Sequence, residues 1–299
     1  MVPGQPRPVL SAGRRAAVVG APVGHSLSPS LHRAAYRALG LTGWSYEAVQ
    51  VDAGSLRAFV AGLGPEWAGL SVTMPLKEEA LALADEVDED ARLTGGANTL
   101  VPCPDRGWRA WNTDVHGVGA ALVGAGLVGP LRGVVLGGGA TARSVLVALD
   151  RLGVREVDLV VRDAPRAATW ELLDRLGLRT TTRRLGTAAR GDAPDVVVST
   201  LPAGAVPDVG VVQDLLAGAS PVVLDVAYAP WPSGFATAVS AATAGRRPVV
   251  RGTAMLLHQA ARQVRLMTGH DGPVEAMRAA LTEDASTGPA AGAGGAGDV

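Results

Sequence analysis

A single lysine, Lys77, is the residue of this 299-residue sequence whose type points most directly to chemistry. Lysine and arginine together number 27, and every one except Lys77 is arginine. Isoleucine is absent and asparagine occurs only as Asn98 and Asn112, a composition that a strongly G/C-biased genome produces. Arginine supplies charge but, unlike lysine, releases no proton near neutral pH. Lys77 is therefore a candidate proton donor or acceptor; chance retention is the alternative.

Lys77 begins a predicted helix that follows a strand over Gly69–Thr73. Asn98 begins a later strand, and Asp114 follows the strand that returns after a hairpin. Lysine, asparagine and aspartate at separate strand ends can converge on a hydroxylated substrate, with Asp114 holding Lys77 charged and oriented and Asn98 offering a donor and an acceptor. Turn and capping duty for the Asn-Thr-Asp stretch is the alternative.

A glycine-rich stretch, GVVLGGGATAR over Gly133–Arg143, has the strand-then-helix context of a dinucleotide site. Gly137, Gly139 and Ala142 fit the pattern G-x-G-x-x-[GA]. Glycines let the backbone turn tightly beside a pyrophosphate, which the helix N-terminus then binds. A plain glycine-rich turn is the alternative in a chain with 39 glycines.

From residue 134 the apolar pattern predicts a series of strands and helices, which indicates a parallel sheet. The predicted strands are 134–136, 157–161, 195–199 and 222–226, and the predicted helices are 140–152 and 166–176. After the second strand, an acidic residue would bind a ribose 2′-hydroxyl, whereas arginine would bind a 2′-phosphate. The sequence has Arg162, Asp163 and Arg166 there. The two arginines favour NADP, and NAD stays open.

Earlier in the chain, a strand over Ala16–Gly20 leads to a loop with Ser26 and Ser28 before a helix. These hydroxyls are helix caps or, together with the helix N-terminus, a carboxylate site. Tyr228 follows a later strand, and its hydroxyl can reach a substrate or can simply be the exposed tip of a half-buried ring. Gln259 lies on the helix after Gly252, and Gly252 is either a helix-start turn or a place where backbone can approach a nicotinamide.

Net charge and cysteine content exclude several classes of protein. A net charge of −1 and an isoelectric point near 6.5 give no sign of a nucleic-acid or membrane partner. Cys103 is the only cysteine, so neither an intramolecular disulfide nor a cysteine metal site is expected. Without a signal peptide or a membrane-spanning apolar run, the expected location is the cytoplasm.

In this order, the segments resemble those of the shikimate dehydrogenase family over about Ala16 to Ala280. The motifs that carry the resemblance are HSLSPS, SVTMPLKE, GGANTL, NTD, GGGATAR, VRDAPRA, DVAY and GTAMLLHQA. The resemblance implies an α/β fold with an N-terminal substrate domain, a Rossmann-like NADP domain and C-terminal helices that return to the first domain. The expected divisions are a disordered leader at 1–15, substrate domain 16–114, cofactor domain 115–251, helices 252–283 and a flexible tail 284–299.

The same resemblance implies reversible reduction of 3-dehydroshikimate to shikimate with NADPH, in the pathway to chorismate and aromatic amino acids. Lys77 and Asp114 would be the catalytic pair, and no metal is expected. The substrate would be bound by Ser26, Ser28, Thr73, Lys77, Asn98, Asp114, Tyr228 and Gln259. The cofactor would be bound by Gly137, Gly138, Gly139, Ala140, Thr141, Arg162, Arg166, Val226 and Gly252.

The chain departs from the family pattern at several positions. Ser71 replaces a frequent asparagine, Asp163 follows the first cofactor arginine, Ser199-Thr200-Leu201 replaces Asn-Ala-Thr, and Val115-His116 lengthens the segment after Asn-Thr-Asp. Asp163 would repel a 2′-phosphate, so an NAD-preferring quinate/shikimate dehydrogenase is one alternative. A non-catalytic nucleotide-binding regulator of the same fold is another, against which the retained Lys77 argues. A homodimer is left open.

Overall fold

Two six-stranded sheets organise the computed structural model, which describes residues 13–103, 107–129, 131–186, 193–217 and 220–287. This confirms the predicted α/β class with two sheets. Among the helices in these ranges, none combines the length and the apolar content that crossing a membrane requires.

The first sheet has the strand order β2-β1-β3-β5-β6-β4. Its central strands β1 and β3 are almost entirely buried, as expected for strands that run parallel to neighbours and are covered on both faces. The elements are β1 (Arg14–Gly20), α1 (Ser28–Ala38), β2 (Trp44–Gln50), α2 (Leu56–Ala61), β3 (Trp67–Val72), α3 (Lys77–Leu83), β4 (Glu86–Val87), α4 (Glu89–Thr94), β5 (Thr99–Cys103) and β6 (Gly107–Trp111).

The first strand begins two residues earlier than predicted, so Arg14 and Arg15 are not part of a disordered leader. The backbone N–H of Arg14 donates to the carbonyl of Gly43 at 2.9 Å. The Arg15 guanidinium lies 4.7 Å from the ring centroid of Trp67. A cation–π contact and a backbone hydrogen bond thus extend the strand into charged residues. Residues 1–12 of the predicted leader lie outside the described residues.

The acidic stretch after α3 does not form the continuous polar helix face that its charges suggest. α3 ends at Leu83, residues 86–87 pair with β6 as β4, and a new helix, α4, follows. Asp88 caps α4, because its carboxylate accepts a hydrogen bond from the backbone N–H of Ala91 at 2.8 Å. β4 therefore separates α3 from α4, and the Asp88 cap starts the second helix.

The second sheet has the order β12-β11-β10-β7-β8-β9, and all its strand pairs are parallel. Strands β7, β8 and β10 alternate side chains between two apolar cores, one on each face. The elements are β7 (Arg132–Leu136), α6 (Ala140–Arg151), β8 (Glu156–Val161), α7 (Ala167–Leu176), β9 (Arg179–Arg184), β10 (Val196–Ser199), α8 (Val209–Leu216), β11 (Val222–Asp225), α9 (Gly234–Thr243) and β12 (Val250–Arg251).

Two helices connect the sheets and one more packs beside them: α5 (Asp114–Gly124), α10 (Thr253–Thr268) and α11 (Val274–Thr287). α10 and α5 pack against each other, and α10 also contacts β3 and β5 of the first sheet. α11 packs on α1 and continues to Thr287, so the predicted flexible tail from residue 284 begins as helix. The rest of that tail, residues 288–299, lies outside the described residues.

The buried His32 of α1 should make the fold less stable in acid. Its Nε2 bonds to Oε1 of Gln263 at 3.3 Å, and its ring stacks on Tyr46 with centroids 4.0 Å apart. Burial lowers the pKa of His32 to about 3, against the smaller opposing effect of Gln263. Below the ordinary value of 6.5 the unfolded chain therefore binds a proton that the folded chain excludes. The free energy of unfolding should fall as pH decreases from 6.5 toward 3, by at most about 1.4 kcal/mol per pH unit from this group.

Urea unfolding at pH 7 and pH 5 measures this contribution as a difference between variants. His32→Asn should show a smaller loss between the two pH values than the wild type. His270→Asn is the matched control, because His270 is exposed in the loop between α10 and α11. Equal losses for the wild type and His32→Asn would contradict the assignment.

Candidate active site

The carboxyl ends of the two sheets meet at a cavity of about 160 Å³. All eight predicted substrate-binding residues line it, as do Thr141, Val226 and Gly252 from the predicted cofactor set. The remaining lining residues are Val18, Ser71, Val72, Met255, Leu256 and Gln263. The volume suits a small molecule, and the lining mixes apolar walls with converging polar groups, which is typical of a ligand site.

Lys77 and Asp114 form an ion pair at this cavity. Nζ of Lys77 lies 2.5 Å from Oδ2 of Asp114, and the two side chains are 15% and 8% exposed. Each is placed by the start of a helix: Lys77 is the first residue of α3 and Asp114 the first residue of α5. Asp114 is thus a helix N-terminal residue, where a carboxylate is favoured by the helix dipole. The short, mostly buried contact is a charge-assisted hydrogen bond.

Asn98 fixes the other oxygen of Asp114. Its Nδ2 donates to Oδ1 of Asp114 at 2.8 Å and to Oγ1 of Thr113 at 2.9 Å. Its Oδ1 accepts from the backbone N–H of Thr113 at 2.8 Å and from the hydroxyl of Thr99 at 2.8 Å. Asn98 is buried and uses both ends of its amide. Both carboxylate oxygens of Asp114 are therefore bound before any ligand arrives.

Buried polar side chains form a hydrogen-bonded chain at the cavity that no sequence motif indicates. Oη of Tyr46 donates to Oγ of Ser71 at 2.6 Å, and Ser71 donates to Oε1 of Gln263 at 2.8 Å. Gln263 in turn donates to the backbone oxygen of Asn98 at 3.0 Å. Gln263 follows Gln259 by four residues on α10 and so shares its face, a spacing that indicates a second polar residue at the cavity. Ser71 takes part in this network at the position where the family often has asparagine.

The loop that carries Ser26 and Ser28, here called the serine loop, lines the cavity together with Tyr228. The N-cap residue of α1 is Leu27, which makes no side-chain capping bond, and Ser28 is the first residue of the helix. Oγ of Ser26 accepts from the backbone N–H of Ser28 at 3.3 Å. Burial raises the pKa of Tyr228, against a smaller opposite effect from the backbone N–H of Leu27. Tyr228 therefore keeps its proton at neutral pH and remains a hydrogen-bond donor.

The glycine turn before α6 has the shape of a cradle for a phosphate. Gly137 has φ +108°, and a Cβ there would lie 2.3 Å from Oγ1 of Thr200, so the turn requires glycine. A Cβ on Gly139 would meet no atom within 4 Å, so open space lies in front of the helix. Gly139 ends the turn and Ala140 begins α6, whose N-terminus has no side-chain cap. Backbone N–H groups and the positive end of the helix dipole thus face this open space.

The two predicted cofactor arginines lie beyond this turn, outside the cavity lining. The Arg162 side chain is 90% exposed, and its Nε lies 3.5 Å from Oδ2 of the exposed Asp163. Arg166 is exposed just before α7. Arg184, which no motif of the sequence indicates, lies opposite Val161 in the register of β9 against β8. Three arginines therefore lie at or just after the carboxyl ends of β8 and β9. An exposed pair such as Arg162–Asp163 contributes little energy, so a phosphate can compete for the guanidinium.

Gly252 and Val226 bring the backbone close together at the cavity. A Cβ on Gly252 would lie 2.0 Å from the carbonyl oxygen of Val226, so no side chain fits at position 252. Asp225 supports the same loop, because its carboxylate accepts bonds from the hydroxyl of Ser233 and from the backbone N–H of Ala227. The glycine turn, the three arginines and the backbone at Val226 and Gly252, where no side chain fits at position 252, together fit a dinucleotide that carries a 2′-phosphate.

Comparison with known proteins agrees with this arrangement. A model of the shikimate dehydrogenase substrate binding domain matches residues 18–100, and a model of the shikimate 5′-dehydrogenase C-terminal domain matches residues 252–282. Shikimate dehydrogenase (NADP+) of Rubrobacter xylanophilus is 37% identical over 272 residues, which cover 89% of this chain and 94% of the relative.

Solved structures give the same result. The crystal structure of Mycobacterium tuberculosis shikimate dehydrogenase is 44% identical, with a TM-score of 0.79 over 90% of this chain and 99% of that one. The Thermus thermophilus enzyme, solved in complex with NADP(H) and shikimate, is 30% identical with a TM-score of 0.75 over 90% and 99% of the two chains. The fold, the cavity and the extent of these matches lead to one conclusion: this chain belongs to the shikimate dehydrogenase family.

Proposed function

We propose that this chain is an NADP-dependent shikimate dehydrogenase, which reversibly reduces 3-dehydroshikimate to shikimate in the cytoplasmic pathway to chorismate and aromatic amino acids. The observation that carries the proposal is the Lys77–Asp114 pair at a cavity shared by both sheets. Lys77 provides a proton donor on one side of the cavity. The backbone at Val226 and Gly252 leaves room for a nicotinamide on the other side, so both parts of a carbonyl reduction have a place.

In the proposed mechanism Lys77 supplies the proton. When bound, NADPH supplies the hydride that the carbonyl carbon receives. Negative charge develops on the carbonyl oxygen, where the Lys77 ammonium stabilises it and then transfers a proton. In the oxidation direction, neutral Lys77 removes the proton from the hydroxyl. Asp114 holds Nζ in place throughout, and Asn98 holds Asp114.

The other lining residues fit the parts of a cyclic polyol acid. Ser26, Ser28 and Tyr228 present hydroxyls on one wall, which suits a carboxylate. Thr73 and Gln259 present donors and acceptors suited to ring hydroxyls, and Asn98 would bind one by giving up a bond that its amide makes to Thr113 or Thr99. This division rests on the chemistry of the side chains and on their place at the cavity.

On the cofactor side, Gly137, Gly138, Gly139, Ala140 and Thr141 would hold the pyrophosphate at the start of α6. Arg162 and Arg166 would hold the 2′-phosphate, while Val226 and Gly252 would border the nicotinamide. We also propose that residues 16–114 and 252–283 form the substrate-binding part and residues 115–251 the cofactor part. The membership of the two sheets supports this division.

A panel of four substrate pairs tests the function. Shikimate and quinate are each oxidised with NADP+ and with NAD+, and reduced nicotinamide is followed by its absorbance. We expect the highest kcat/KM for shikimate with NADP+. Preference for NAD+, especially with quinate, would mean that Asp163 selects a free ribose and that the enzyme is a quinate/shikimate dehydrogenase. Binding of cofactor without turnover in any pair would refute catalysis and favour a nucleotide-binding regulator.

A further inference from the structure

Arg143, the last residue of the glycine-rich stretch, is a buried cation whose partners lie on α3, at the end of α4 and in the loop that follows α4. Its side chain is 1% exposed. Nε donates to the carbonyl oxygen of Thr94, and Nη2 donates to the carbonyl oxygen of Gly95 at 3.4 Å and to Oε1 of Glu78 at 2.9 Å. A buried guanidinium depends on such partners to offset its lost hydration, and here Nε and Nη2 have them whereas Nη1 has none among the described residues. These three bonds therefore fix α6 firmly to the substrate side.

The partners of Arg143 lie on both sides of the Lys77 main chain. Glu78 is the next residue along α3. The loop that begins at Thr94 and Gly95 continues to Ala97, whose backbone N–H donates to the carbonyl oxygen of Lys77 at 2.8 Å. Arg143 thus holds the helix that carries Lys77 and the loop that contacts the Lys77 carbonyl, without lining the cavity itself.

The following residue, Ser144, reaches the other member of the ion pair. Nδ2 of the buried Asn112 donates to Oγ of Ser144 at 3.1 Å. Oδ1 of the same amide accepts from the backbone N–H of Asp114 at 3.1 Å. The second asparagine of the sequence therefore links α6 to the first residue of α5.

We propose that Arg143 and Ser144 are positioning residues that fix the Lys77–Asp114 pair relative to the glycine turn. The inference rests on the proposed function. The turn and the two residues are parts of one short stretch of chain, so the phosphate cradle and the ion pair share one rigid support. A displacement of about 1 Å between reacting groups can lower a rate by about 100-fold, so such a support has a measurable effect.

The test compares Arg143→Gln and Arg143→Lys with the matched control Arg151→Gln. Arg151 also lies on α6 and pairs with Asp90 of α4 at 2.9 Å, so its loss removes a tie between the same two helices away from Lys77. For each variant we would measure kcat and KM for shikimate, the Kd of NADPH by fluorescence, and the NMR resonance of 13Cε-labelled lysine. The wild-type chain has one lysine, so that resonance reports on Lys77 alone.

We expect Arg143→Gln to lower kcat by about 10- to 100-fold while the Kd of NADPH changes less than about twofold. The lysine resonance should move, Arg143→Lys should recover part of kcat, and Arg151→Gln should match the wild type. An unchanged kcat and resonance in Arg143→Gln would overturn the proposal. So would a loss of kcat that parallels a loss of NADPH affinity with the resonance unmoved.

Two further measurements keep the test decisive. If Arg143→Gln fails to fold, Glu78→Gln replaces it, because the Glu78 side chain is 60% exposed and its change leaves the buried backbone bonds of Arg143 intact. Glu78→Gln should lower kcat and move the resonance, and wild-type values for both would overturn the proposal. If the wild type shows no turnover of shikimate, the proposed function fails, and the lysine resonance alone decides whether Arg143 positions Lys77.

Discussion

Lys77→Ala should lower kcat for shikimate oxidation by about 10²- to 10⁴-fold, the usual contribution of general acid–base catalysis. The side chain is placed by the first turn of α3, bonded to Asp114 and directed to the cavity, and the cavity lining includes no other lysine because the sequence has none. The glycine turn and the cofactor arginines are not in contact with it. The Kd of NADPH should therefore change less than about twofold. Steady-state kinetics and fluorescence titration measure the two quantities.

Lys77→Arg separates charge from proton transfer. Arginine keeps a cation beside Asp114 but holds its proton in proteins, so this variant should also be nearly inactive. Thermal unfolding of both variants shows whether removing one partner of a mostly buried ion pair has unfolded the site. Turnover of folded Lys77→Ala within tenfold of the wild type would remove Lys77 from the mechanism.

Arg162→Ala combined with Arg166→Ala should raise KM for NADP+ by about 100-fold or more and leave KM for NAD+ within about twofold. A hydrogen bond to a charged group is worth about 1.5–3 kcal/mol, or roughly 10- to 100-fold for each arginine. Arg162 is 90% exposed, so its loss leaves no cavity and no unpaired buried group. Kinetics with both cofactors measure the ratio.

Arg175→Ala is the matched control, because Arg175 is an exposed arginine of α7, the helix that follows Arg166, and pairs with Glu171 one turn away. It should not change the cofactor ratio. Asp163→Asn should favour NADP+ further, since it removes a negative charge beside Arg162. Equal losses with NADP+ and NAD+ in the double variant would refute the phosphate role of the two arginines.

The sequence predicts the parts of the fold that depend on local patterns. Strands such as β7 and β10 are short apolar runs, and α6 follows a glycine turn. The sequence therefore predicts all three elements from local residue types. β9 is not predicted in this way, because its sequence RTTTRR has no apolar face and forms a strand only by pairing with β8. Composition also does not show that the acidic residues after α3 form β4 and a new helix that begins at the Asp88 cap.

The same distinction applies to the site. Lys77, Asn98 and the serine loop are indicated by scarcity or by short motifs, and the structure brings them to one cavity. The Tyr46–Ser71–Gln263 network and the contacts of Arg143 join residues that are far apart in sequence. Ser71 and Gln263 are 192 positions apart, and only the packing of α10 on the first sheet makes them neighbours. Such contacts follow from tertiary structure, and their local sign in the sequence is limited to the four-residue spacing of Gln259 and Gln263.

The return of α10 to the first sheet determines the order in which the protein can be completed during synthesis. Leu257, Ala260 and Val264 of α10 belong to the core that β1 and α1 begin. About 140 residues, including the whole second sheet, separate β6 from α10, and a ribosome adds them in on the order of 10 s at 5–20 residues per second. Throughout that interval the first sheet has an open apolar face, while the second sheet can close its own cores. The part of the chain that is made first therefore completes its core only after α10 has been made.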